Sequence, residues 1–260
     1  MKAPLIPVLA VLAMASAQAA AQPVPAPDHS LPASTLIAKG LPAPDRAWTP
    51  QDYEAAVKVL EALEKADPLI LPRAGSPRSG AVFARLVAED NLEPIRKEAN
   101  TQQAFGMVVR MFVGPNKLLV LYGTHTTPQS TFDSEITAIM AYGLAISKEL
   151  LSLGTTLKNA IPADDPRREA RLASFETMRE GLGTTIEGGL LTLTERDLYR
   201  PEARLHLANA LERHLPALYP YLLPGVQQKL PLSLEAIAAQ EPDEAVKQAV
   251  QRIRATPPSF

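Results

Sequence analysis

The sequence predicts an all-α fold, either a multi-helix bundle or an irregular array of amphipathic helices. Apolar residues recur at steps of three and four over long stretches, which is the spacing of one helix face. Capping residues and prolines stand at the starts of several of these stretches. The chain contains no cysteine, so an apolar core must stabilise it without disulfide bonds.

Residues 1–21 have the pattern of a bacterial signal peptide. Lys2 gives a positive start, an uncharged apolar run extends from Ala3 to Ala15, and small residues follow it. The A-x-A rule predicts cleavage after Ala19 or after Ala21. The apolar run is shorter than the ~20 residues of a membrane span, which favours removal over retention as an anchor. We therefore expect a periplasmic or secreted protein, and the absence of cysteine predicts no lipid anchor.

The remainder of the chain is expected to contain a tether and a folded part. Residues 22–49 are rich in proline and are predicted to form a flexible tether, because proline fixes φ and lacks a backbone donor. Residues 50–260 are predicted to form a helical domain, with a division near 123–130 as an alternative. We expect no membrane span in this domain.

The first helix of the domain is predicted to begin at Thr49. Its hydroxyl caps the helix, Pro50 suits the first helical position, and Asp52 completes a capping box. Asp67 and Pro68 end the apolar stripe that follows. A short helix over residues 81–88 is predicted next.

A longer helix is predicted from Ile95 to Val113, where Gly114 and Pro115 provide a stop. The same residues permit a second interpretation. Two apolar runs flank them, as in a β-hairpin over residues 107–122, although neither run alternates cleanly in polarity.

The second half of the chain continues the helical pattern. A long helix is predicted from Ser130 to about Ala160, and another begins near Asp164. Small residues accumulate over 181–193, which indicates either a broken helix or one packed closely on a neighbour. Shorter helices are predicted at 201–215, 232–239 and 243–255.

Two segments resemble helices of α-solenoid repeats. Gln51–Pro68 resembles the second helix of a tetratricopeptide repeat, and Glu241–Ile253 is similar to the second helix of a HEAT repeat. A solenoid needs at least three stacked repeats, and these segments do not supply them. The sequence LGTT occurs at 153–156 and 182–185, by duplication or by chance.

Composition bears on several classes of partner. Lys and Arg number 26 against 28 Asp and Glu, so we expect no nucleic-acid partner, which would require a concentration of positive charge. Aromatic residues make up 5 % of the chain, which disfavours a large carbohydrate site.

The sequence shows no signature of catalysis or of metal binding. The four histidines form none of the close pairs, such as H-E-x-x-H, that are typical of a zinc site. We therefore predict no metal and no cofactor. The glycines over 181–189 do not fit G-x-G-x-x-G, because position 186 is isoleucine. Without a G-x-S-x-G elbow, an S-x-x-K motif or a cysteine, we assign no catalytic residue.

Two polar loops contain candidate ligand-binding residues. The first precedes a predicted helix start, where free amides and the helix dipole favour an anion such as phosphate or carboxylate. Its candidates are Arg73, Ser76, Arg78 and Ser79. Ordinary helix capping is the alternative role for this loop.

The second loop extends from Gly123 to Asp133. It contains an imidazole, His125, and neighbouring threonine and serine hydroxyl groups that together could bind a small polar ligand. With Asp133 and with Arg110 from the preceding helix, it forms the second part of a candidate site. The alternative is that these hydroxyl groups cap the helix that follows.

Three functions are consistent with these patterns. The leading hypothesis is an exported, noncatalytic protein that binds a macromolecular partner or another component of the cell envelope. The second is a small-ligand receptor or an enzyme with a polar site around His125 and the Arg73–Gly80 loop. The third is a chaperone-like holder of apolar clients, which requires a large exposed apolar patch.

Overall fold

A computed structural model describes residues 22–255, and within this range the fold is all-α, as predicted. The leader lies outside the described residues, so the signal peptide remains a prediction. The helices are α1 (Ala33–Ala38), α2 (Pro50–Glu64), α3 (Gly80–Leu86), α4 (Glu93–Arg96), α5 (Thr101–Gly123), α6 (Asp133–Asn159), α7 (Arg168–Thr194), α8 (Pro201–Leu218), α9 (Pro224–Gln240) and α10 (Glu244–Ala255). Short 3-10 turns lie at Pro68–Ile70, Glu89–Leu92 and Tyr219–Tyr221.

Helix α6 lies at the centre of the fold, with α5 and α8 packed against it. Its side chains enter two apolar cores. Ile139, Tyr142 and Ile146 join a first core with α2, α3 and α5. Leu144 and Leu151 join a second core with α7, α8, α9 and α10. This helix therefore connects two groups of helices that would otherwise share few buried contacts.

The predicted start of α2 is confirmed in detail. The Thr49 hydroxyl accepts a hydrogen bond from the Asp52 backbone N–H at 3.2 Å, and the Asp52 carboxylate accepts one from the Thr49 N–H at 3.0 Å. Two backbone donors that have no partner inside the helix are satisfied in this way.

Helix α5 corrects two sequence-based expectations. It is continuous through Gly114 and Pro115, so the predicted helix stop at these residues is wrong, and so is the alternative β-hairpin over 107–122. A Cβ atom on residue 114 would lie 2.0 Å from Cε1 of Tyr53, which is buried on α2. The glycine is therefore needed for the close contact between α2 and α5.

Helix α7 is also continuous, from Arg168 to Thr194. Of the two interpretations of the small residues over 181–193, close packing is the observed one. A Cβ atom on Gly183 would lie 3.1 Å from Val226 on α9.

The proline-rich segment before α2 packs on the helices of the first core, whereas the sequence predicts a flexible tether over residues 22–49. Leu36 and Trp48 are buried in the first core. The Ala26 backbone N–H donates to the Thr131 carbonyl at 2.9 Å. Prolines restrict the chain, and the apolar residues between them supply the burial, so a segment without long helices still has a defined position.

Substituting Gly114 tests the contact between α2 and α5. Gly114→Ala should lower the free energy of unfolding by about 1–3 kcal/mol, because the added methyl meets a buried ring. Denaturation in urea, followed by circular dichroism, measures this change. Gly106→Ala is the matched control, since a Cβ there meets nothing within 4 Å, and it should stabilise the helix by up to about 1 kcal/mol. Equal effects of the two substitutions would contradict the described packing.

Candidate functional site

Arg73, a predicted ligand-binding residue, is buried and turned toward the protein interior. Its Nε donates to Glu135 Oε1 at 3.0 Å, and its Nη1 donates to the Ala26 carbonyl at 2.8 Å. The guanidinium also lies 4.6 Å from the centre of the Phe132 ring, within the range of a cation–π interaction. Arg73 thus joins the segment before α2 to the first turn of α6.

The other predicted residues of this loop mostly bond to one another. The Ser76 hydroxyl accepts from the backbone N–H groups of Arg78 and Ser79, at 3.0 and 3.2 Å. The Ser79 hydroxyl accepts from the Arg73 N–H and donates to the Ser30 hydroxyl. These hydroxyl groups stabilise the loop before α3, whereas the Arg78 side chain is exposed to solvent.

Asp133 is also engaged in an ion pair. It is buried at the first residue of α6, and its carboxylate accepts from Arg200 Nε at 2.8 Å and from Arg200 Nη2 at 2.9 Å. This two-point pair joins α6 to the residues just before α8. The sequence gives no sign that Arg200 is the partner, because the two residues are far apart in the chain.

His125 has a different partner from Arg73 and Asp133. It is half-buried after the end of α5, and its Nε2 is 2.6 Å from Glu64 Oε1 on α2. Arg110 is exposed four turns earlier on α5. The structure thus brings Arg73 and Asp133 to the start of α6, each in its own ion pair. A small apolar cavity of about 100 Å³ lies between α8, α9 and α10.

The outward face of α5 carries several exposed apolar side chains. Val109, Val113 and Val120 are 41, 50 and 45 % exposed. Helix α5 packs against α2 and α6, and these valines lie on its remaining side. Phe105 and Phe112 line one margin and are half-buried.

The exposed residues of α5 follow a regular spacing. Steps of three and four connect Gly106, Val109, Val113, Asn116 and Val120, all of which are exposed. Alternation of three and four is the heptad spacing of a coiled-coil seam. We call these five residues the α5 seam.

Two cations border the α5 seam on the side opposite the phenylalanines. Lys117 pairs with Glu61 on α2 at 2.7 Å. Arg110 is exposed, with no hydrogen bond or ion pair to any part of the chain that the structure describes. The seam therefore has an apolar margin and a charged margin, on which Arg110 is the cation without a partner among the described residues.

The sequence predicts a helix here but not this exposed surface, because Val109 is exposed next to the buried Val108 and both are apolar. The signal that was present is an excess of apolar residues. Helix α5 is apolar around most of its circumference, which is more than its contacts with α2 and α6 cover.

Two helices, α5 and α6, are long and apolar enough to cross a membrane by length and composition alone. The expectation of no membrane span in residues 50–260 did not take these two helices into account. The buried core helix of a soluble protein passes the same test. In the apolar window of α6, 56 % of the residues are buried, against 39 % in that of α5. The lower burial of α5 is consistent with a face that lacks a neighbour.

Comparison with known proteins gives no relatives for this chain: no protein-family model, curated protein or solved structure matches it. The candidate site therefore rests on the geometry described above.

The buried ion pair of Arg73 provides a test of its role. Arg73→Met should cost about 3–5 kcal/mol in the free energy of unfolding, because Glu135 is then buried without a counter-charge. Removing both charges, in Arg73→Met/Glu135→Leu, should restore about half of that loss. Denaturant titration measures both variants, with Arg78→Met as the exposed control in the same loop. Unchanged stability in Arg73→Met would contradict this structural role and favour a ligand-binding one.

Proposed function

We propose that this protein is an exported, noncatalytic interaction module whose α5 seam docks an amphipathic helix. The observation that carries this proposal is the exposure of three valines at heptad spacing on one long helix. A regular seam of this kind fits the side chains of a second helix, because knobs from that helix enter the spaces between seam residues.

A helix docked on the seam removes apolar surface from water. Complete burial of a valine contributes about 1.5–3 kcal/mol relative to full exposure. The three seam valines are between two-fifths and half exposed, so covering them contributes about 2–4 kcal/mol in total. The half-buried phenylalanines at the margin add to this area. Because α5 is already folded on α2 and α6, docking does not require it to become ordered.

The form of the surface also bears on the two other hypotheses. A holder of unfolded clients needs a broad apolar patch, whereas the seam is narrow and regularly spaced. A small-ligand site requires that His125, Arg73 and Asp133 converge. In this fold Arg73 and Asp133 are taken up by buried ion pairs, and His125 contacts Glu64.

Export remains part of the proposal, on the basis of residues 1–21. A positive start, an apolar run and two A-x-A frames support cleavage after Ala19 or Ala21 and a periplasmic or secreted location. A chain that folds outside the cytosol without disulfide bonds depends on its apolar cores, and both cores lie within the described residues.

Photo-crosslinking in living cells tests the docking function. A benzoylphenylalanine at position 113 should give a discrete protein adduct in the envelope fraction. The same probe at Leu232, which is 69 % exposed on α9, should not. Val109→Asp in the same chain should reduce the adduct at position 113 at least tenfold, since loss of about 1.4 kcal/mol lowers binding by that factor.

The result that would contradict the proposal is equal adduct formation at positions 113 and 232, or an adduct that persists unchanged in the Val109→Asp chain. Because Val109 is exposed, the aspartate should leave the melting temperature nearly unchanged, and circular dichroism checks this.

A further inference from the structure

We infer that the helix docked on the α5 seam is α5 of a second copy of this chain, parallel and in register with the first. This inference rests on the proposed function and names the occupant of the same surface. Each possible pairing of two α5 helices brings different residues into contact.

In a parallel pair, each seam residue meets its own equivalent. Val109, Val113 and Val120 then contact the same valines of the second copy, and Asn116 faces another Asn116. The Asn116 Nδ2 donates to the Phe112 carbonyl of its own helix at 3.4 Å, and two facing carboxamides add hydrogen bonds between the copies. An Asn116 opposite valine would leave its Oδ1 without a partner in the seam. A polar residue inside an otherwise apolar seam therefore fixes one register.

The margins of the seam favour the same arrangement. In a parallel pair, the residue just after a seam position on one helix lies beside the residue just before a seam position on the other. Arg110, which follows Val109, therefore approaches Phe105 of the second copy, which precedes Gly106. Lys117 approaches Phe112 in the same way. A cation over an aromatic ring is favourable, and Arg110 has no partner within the described part of a single chain.

The antiparallel pairing centred on Val113 has the opposite electrostatics. It places Arg110 of one copy beside Lys117 of the other, twice in the dimer. Arg110 then faces an ion pair, because Lys117 is already bonded to Glu61 of its own chain, and it gains no aromatic ring. The parallel pair, which places Arg110 beside Phe105, uses this unpaired cation better.

The seam is also short and preformed. Helix α5 has 23 residues, which corresponds to about 34 Å. An isolated coiled coil of this length would lose stability to fraying, but here each helix is held by its own α2 and α6. Gly106 adds an open position in the seam, where a Cβ would meet nothing within 4 Å, so the second helix can approach closely there.

The absence of native cysteine permits a direct test by single-cysteine crosslinking. The full mature chain is prepared with Val109→Cys, Val113→Cys or Val120→Cys, and with Leu232→Cys as the exposed control on α9. Each variant is oxidised mildly at micromolar concentration and examined on non-reducing gels. We expect all three seam variants to form disulfide-linked dimers at least tenfold faster than Leu232→Cys.

Each other result overturns the inference in an identifiable way. Rapid crosslinking of Val113→Cys alone indicates the antiparallel pairing. Crosslinking of no seam variant above the Leu232→Cys rate indicates that the second copy does not occupy the seam. If position 113 still gives a seam-dependent photo-adduct to another protein in cells, the docking function stands and only self-pairing is wrong.

Sedimentation equilibrium of the unmodified mature chain provides an independent readout that needs no cysteine. A reversible dimer is expected, and Val113→Asp should raise its dissociation constant at least tenfold while the thermal melt of the monomer changes little. A chain that remains monomeric at the highest soluble concentration would contradict self-pairing.

Discussion

The fold depends on one constraint: a chain without disulfide bonds must hold two apolar cores together by packing alone. Helix α6 contributes most to this, since Ile139 and Ile146 enter the first core while Leu144 and Leu151 enter the second. Helix α5 packs on α6 and on α2, and these contacts cover only part of its circumference. The α5 seam lies on the part that they leave exposed.

Buried charge has a structural role around this central helix. Arg73 pairs with Glu135, Arg200 pairs with Asp133, and Arg204 pairs with Glu241 near the second core. Removing one member of such a pair is costly, whereas the intact pair fixes the position of a loop or of a helix start. Arg73 and Asp133, which resemble ligand contacts in the sequence, therefore stabilise the fold, whereas the apolar α5 seam is exposed.

Local patterns predicted the parts of the fold that depend on neighbouring residues. The all-α class and the capping box at Thr49 follow from spacing and cap chemistry within a few residues. The passage of α5 through Gly114 and Pro115 depends on the Tyr53 ring of another helix, which local sequence does not reveal. Similarly, the roles of Arg73 and Asp133 depend on partners more than sixty residues away. Exposure of Val109 depends on which faces of α5 its neighbours cover.

The outward face of α5 is exposed in a single chain, and we propose that a second helix covers it in the cell. Hydroxyl-radical footprinting, read by mass spectrometry on the peptide containing Val109, Val113 and Val120, measures this directly. We expect strong oxidation of these valines in the dilute mature chain and clear protection in intact cells, with Leu232 oxidised in both. Equal oxidation of the three valines in both conditions would contradict it.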